Sequence, residues 1–199
     1  MMLRHGFRFV FTCAMALALQ ACGPRHANWT EEVRLSPTEV VTIERSVRFN
    51  MAGQPGEVPV PVPVSQTIVV KTGSAATGPW ASPLEPIFLG RNPANNDLVL
   101  IATMRFCGQW EAMGRPNPPY WSYEWTGENW ASVSVPASLI GRETNLLDDW
   151  KADENGVITE ADKSARRRRY ETSDYNKTIV SETRDFKCAS ASHREPANR

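Results

Sequence analysis

Val41-Thr42-Ile43-Glu44-Arg45-Ser46-Val47-Arg48-Phe49 alternates apolar and polar side chains, and only Arg45 interrupts the apolar side. A period of two marks a strand with one buried face. Upstream, residues 32–35 read as a second strand and Ser36-Pro37-Thr38 as a turn, so an antiparallel hairpin is expected here. Downstream, residues 66–71 and 86–90 read as strands, and the strongly apolar run 98–106 reads as a central one. Residues 120–126 and 129–135 read as a hairpin turning at Gly127-Glu128. Residues 58–64 spell VPVPVPV, with Pro at 59, 61 and 63. Proline donates nothing to a ladder, so this run is expected as polyproline II or a sheet edge, not a central strand. Residues 144–150 suggest a short helix, and 160–170 a polar helix capped by Thr159. Residues 178–187 suggest an edge strand running to Cys188. The fold class expected is α+β, predominantly β: an antiparallel sheet with one or two short helices toward the C-terminus.

The length of 199 residues suits one domain. With 22 basic and 22 acidic residues, the chain lacks the basic footprint of a nucleic-acid binder. Residues 50–140 hold 12 of the 15 Pro, five of the seven Trp and only ten charged residues. Residues 141–199 hold 24 charged residues, twelve of each sign, which suits solvated surface. A binding surface is therefore expected in the aromatic middle. Trp110, Tyr120, Trp121, Tyr123, Trp125 and Trp130 gather there, and alternation puts Trp121, Tyr123 and Trp125 on one face. Such a ladder serves either as packing or as a stacking platform for sugar rings.

The N-terminus carries an address. Arg4 and Arg8 precede an apolar run, 9–19, too short to span a bilayer. Leu19-Gln20-Ala21-Cys22 then resembles the lipobox of bacterial lipoproteins, with Gln20 a mild departure. The resemblance implies cleavage before Cys22 and acylation of its thiol, giving a membrane anchor of several acyl chains. Gly23, in place of an Asp, implies the outer membrane of a Gram-negative cell, facing the periplasm. The organisation expected is a signal peptide over 1–21, a lipidated tether over 22–29, one β-rich domain over 30–189 and a tail over 190–199. Loss of 1–21 leaves 20 basic and 22 acidic residues.

Cys13 falls in the signal, leaving Cys107 and Cys188 as candidates for a disulfide in an oxidising compartment. The only histidines are His5, His26 and His193, so 27–192 offers no Ser-His-Asp or Cys-His catalysis and few zinc sites. Residues 151–162 resemble an EF-hand loop through Asp153, Asn155, Gly156 and Asp162, but Lys151 occupies the first ligand position. A carboxylate pair such as Glu111 with Glu124 is the remaining acid–base option. No cofactor is expected. The functional expectation is a lipid-anchored, non-enzymatic envelope protein that binds a protein partner or stabilises an assembly. A glycan-binding or glycan-cleaving domain using the aromatic cluster is the other reading, and a toxin-neutralising lipoprotein a third. The chain resembles small envelope lipoproteins of Gram-negative bacteria over residues 1–23.

Overall fold

The structure is a computed structural model, and it describes residues 25–53, 58–73, 75–147, 156–170 and 178–181. The alternating stretch forms the hairpin expected, but longer. Strand β1 runs Arg25–Ser36 and β2 Glu39–Ala52, turning at Pro37-Thr38. Residues 25–29, expected as tether, are the first part of β1, because Ala27, Trp29, Glu31, Val33 and Leu35 continue one inward face. In β2 the inward residues Val41, Ile43, Arg45, Val47 and Phe49 are all buried, Arg45 included.

Strand β3 spans Val60–Thr72 and pairs antiparallel with β2. Its first half contains two of the three alternating prolines, with Pro61 opposite Met51 and Pro63 opposite Phe49. On its other side, among the described residues, β3 meets only β4 (Ala75–Ala76) and β5 (Trp80–Ser82), which reach it from Gln66 onward. Residues 60–65 are therefore a sheet edge. Prolines at alternate positions put their missing N–H groups along one side of a strand, which discourages pairing with another chain. A two-residue strand, β10 (Val157–Ile158), adds to β1 in parallel and completes the larger sheet.

The second sheet is β6 (Glu85–Arg91), β7 (Leu98–Thr103), β8 (Tyr120–Trp125) and β9 (Trp130–Val133), antiparallel in that order. Every residue of β7 is buried, as its unbroken apolar run requires of a strand covered on both faces. Leu98, Leu100 and Ala102 meet Val33, Ile43, Ile68 and Val70 of the larger sheet in the main core. Val99 and Ile101 face the other way, onto Ile87, Leu139 and Ile179. The two sheets thus form a sandwich with an added layer over the smaller one.

Among the described residues the protein is mostly β, with two short α-helices. Helix α1 (Cys107–Ala112) lies mid-chain rather than toward the C-terminus, and its six residues are too short to show a helical period. Helix α2 (Glu160–Tyr170) begins after Thr159 as expected. Asp162 N donates to Thr159 Oγ1 at 3.2 Å, while Thr159 N donates to Asp162 Oδ2 at 3.0 Å, a reciprocal cap. Residues 144–147 are not helical, contrary to expectation. Leu146 enters the main core and Leu147 a separate cluster with Trp29, Val47, Phe49 and Ile158, so successive side chains diverge as in an extended chain. Of the edge strand expected at 178–187, residues 178–181 are described, and Thr178 makes only an isolated bridge to Glu143.

Candidate functional site

The break in the β2 pattern opens onto a buried polar network. Arg45 Nη1 donates to Glu31 Oε1 at 3.1 Å and to the Leu147 carbonyl at 2.5 Å. Its Nη2 donates to Gln66 Oε1 at 3.1 Å, and Gln66 Nε2 donates to Glu85 Oε2 at 2.8 Å. Glu85 also pairs with Arg105, just beyond β7. The Arg45 guanidinium lies 4.6 Å from the centre of the Trp29 ring. Glu31, Arg45, Gln66 and Glu85 are each at most 3% exposed, and they come from β1, β2, β3 and β6. Two arginines against two carboxylates balance the charge. This arrangement holds the sheets in register; its carboxylates are shut from solvent and paired, so it offers no reacting group to a substrate. In sequence only Arg45 betrays it.

The aromatic ladder divides. Trp110 and Tyr120 are buried and present no free ring face, which corrects their reading as ligand platforms. Trp110 Nε1 donates to the Pro116 carbonyl at 3.3 Å, and Tyr120 Oη accepts from Val180 N at 3.0 Å. Trp121, Tyr123 and Trp125 do share a face. That face looks inward, and all three are half-buried against the main core, as is Trp130. Tyr123 packs edge-on to Trp80 at 5.6 Å, and burial pushes its hydroxyl pKa up despite a hydrogen bond with Ser82. The Trp125 and Trp130 rings meet at a tilt of 56° with centres 5.5 Å apart, and Trp130 Nε1 donates to the Gly78 carbonyl at 3.0 Å. A β-carbon at Gly78 would stand 3.2 Å from the Trp125 ring, so the missing side chain is what seats the indole.

Beyond Trp125 the ladder runs out at a solvent-open depression of about 430 Å³. Its walls include Trp125, Gly127, Thr72, Thr77, Arg91 and Asp97. They come from the ends of β3, β6 and β8 and the approach to β7, so the depression lies at one end of the sandwich. Its polar rim is preset. Arg91 grips Glu39 with two hydrogen bonds, Nη2 to Oε1 at 2.6 Å and Nε to Oε2 at 3.1 Å, and Nη1 reaches the Asn96 carbonyl at 3.1 Å. That grip holds the Glu39 carboxyl below its ordinary pKa and raises Arg91. A lowered carboxylate pKa means the pair is fully formed above the ordinary carboxylate range and breaks only as pH falls through the lowered value. Glu124 accepts from Asn92 at 2.9 Å and Asn95 at 2.7 Å, pinning the loop between β6 and β7.

The remaining sequence candidates are scattered. Glu111, on α1, pairs with Arg115 just beyond that helix, whereas Glu124 sits opposite Val99 at the far end of the β7–β8 pair, so the two carboxylates do not converge. Asp162 serves the cap of α2, while Asp153 and Asn155 lie outside the described residues. Among the described residues, no three His, Cys, Asp or Glu side chains are grouped to hold a metal. Cys107, exposed at the start of α1, is disulfide-bonded; Cys188 and Cys22 lie outside the described residues. No helix among the described residues is long and apolar enough to cross a membrane. No family model, curated protein or solved structure matches the chain.

Proposed function

We propose that this is a lipid-anchored envelope protein, tethered to the outer membrane through Cys22, whose sandwich is a non-enzymatic binding module for a periplasmic partner. One observation carries the reading. The first described residue, Arg25, pairs with Phe49 near the end of β2, whereas the depression beside Trp125 is built at the level of Glu39, where β2 begins. Phe49 lies ten residues along β2 from Glu39, so about 33 Å separates the two levels. An anchor at Cys22 would hold one end at the leaflet and present the depression outward. Such a protein suits an oxidising compartment, and Cys188 is the partner we propose for the disulfide of Cys107. A second reading, a glycan ligand, draws support from the half-exposed Trp125 ring beside Thr77, Arg91 and Asp97.

The anchor is checked by fractionation: Cys22→Ser is expected to move the protein from membrane to soluble fractions, and continued retention would refute lipidation. The module is checked by crosslinking and pull-down from whole envelopes. Trp125→Ala is expected to weaken capture by about tenfold or more, as for a central aromatic anchor. Undiminished capture would move the binding surface elsewhere. A change in tryptophan fluorescence with peptidoglycan fragments, lost in Trp125→Ala, would select the glycan reading over the protein partner.

A further inference from the structure

The end of the sandwich opposite the depression has its own character. Phe49 is the last buried residue of β2, and beyond it the β2–β3 hairpin projects past the core. There Met51 is 40% exposed, Val58 87% and Val60 57%, and Ala52, Gly53 and Pro59 are exposed beside them. Between Asn50 and Val60 the sequence has one acidic residue, Glu57, outside the described residues. One rung inward, Arg48 is exposed and pairs with His26. An apolar tip backed by positive charge is the profile of a segment that enters the interface of an anionic membrane.

The register says which surface lies there. Arg25 is opposite Phe49, and Phe49 is opposite Pro63. Only Gly23 and Pro24 separate Arg25 from Cys22, three residue steps with a reach of about 10 Å at most. Three residues from Phe49 to Ala52 carry the hairpin a similar distance. The acylated residue and the apolar tip are therefore confined to the same end of the molecule.

We propose that the stretches of β2 and β3 beyond Phe49, with Val58, form a second membrane-contacting element. Met51, Val58 and Val60 enter the lipid interface beside the acyl chains, and Arg48 faces the headgroups. The sandwich then stands end-on to the leaflet, where a flexible tether alone would let it tumble. The inference rests on the proposal that Cys22 is acylated.

Hydroxyl-radical footprinting read residue by residue tests both. The reference is Val40, 44% exposed at the opposite end of the same strand. Labelling of Met51 and Val60 relative to Val40 is compared between the soluble Cys22→Ser protein and the acylated protein in phosphatidylethanolamine–phosphatidylglycerol vesicles. We expect the ratio to fall by about threefold or more on anchoring, as interfacial burial excludes water. In an acylated Val58→Asp/Val60→Asp protein, flotation with vesicles should persist while Met51 labelling returns toward that of the soluble protein. An unchanged ratio in a wild-type protein that floats would overturn the tip contact alone. Failure of the wild-type protein to float would overturn the acyl anchor and the tip contact with it.

Discussion

Arg45→Ala should lower the free energy of unfolding by about 3–5 kcal/mol, the range for removing one partner of a buried ion pair. The magnitude follows from what is left behind. Glu31 is fully buried, and Arg45 is its only side-chain partner among the described residues. The Leu147 carbonyl and Gln66 Oε1 lose the same donor. Three acceptors would then sit in a dry interior with nothing to replace the guanidinium. The paired change Arg45→Met with Glu31→Leu removes both charges and leaves Glu85 with Arg105, so the interior stays balanced. That double variant should be more stable than Arg45→Ala by the share that an orphaned Glu31 carries, while the Leu147 carbonyl and Gln66 Oε1 still lack their donor. Urea unfolding midpoints at constant slope measure both. A loss below about 1 kcal/mol for Arg45→Ala would mean that water reaches the network, as at an exposed pair.

The same residue shows how far the sequence could be read. Alternation over 41–49 located β2, its buried face and its turn, because a half-buried strand leaves a local pattern. It also exposed Arg45 as an anomaly. What Arg45 meets was invisible, since Glu31, Gln66 and Glu85 lie on three other strands and each is unremarkable in its own segment. The aromatic ladder was half legible for the same reason. Period two showed that Trp121, Tyr123 and Trp125 share a face, but only the packing of one sheet on another decides whether it looks inward. The depression was not legible at all: Arg91 and Glu39 are 52 positions apart and meet only when the strand ends are gathered. Residues 144–150 misled because apolar residues close in sequence imitate a helix face, whereas Leu146 and Leu147 serve opposite sides of an extended chain.

That extended chain underlies the second large effect. Strand β6 is the edge of the smaller sheet, and an edge inside a sandwich needs its backbone satisfied. Asn145 does this with its side chain. Its Oδ1 accepts from Leu89 N at 2.9 Å, and its Nδ2 donates to the Leu89 carbonyl at 2.7 Å and the Arg34 carbonyl at 3.0 Å. The carboxamide stands in for a neighbouring strand, matching one donor and one acceptor, and it ties β6 to β1 of the other sheet. Backbone N–H groups of Asn145 and Leu146 add bonds to the Ile87 carbonyl, and Lys163 of α2 holds the Asn145 carbonyl at 2.8 Å. Asn145→Ala should therefore cost about 2–4 kcal/mol, since it strands a buried N–H and frees two carbonyls at once. Asn145→Asp keeps the acceptor but turns a charged oxygen toward two carbonyls, so it should be at least as damaging. Amide exchange discriminates the clamp from generic loosening: the Leu89 amide should lose protection in Asn145→Ala before those of β7, which keep their ladder partners on both sides. Retained protection at Leu89 with an unchanged urea midpoint would show that the edge is satisfied some other way, and that the two sheets are joined by apolar contact alone.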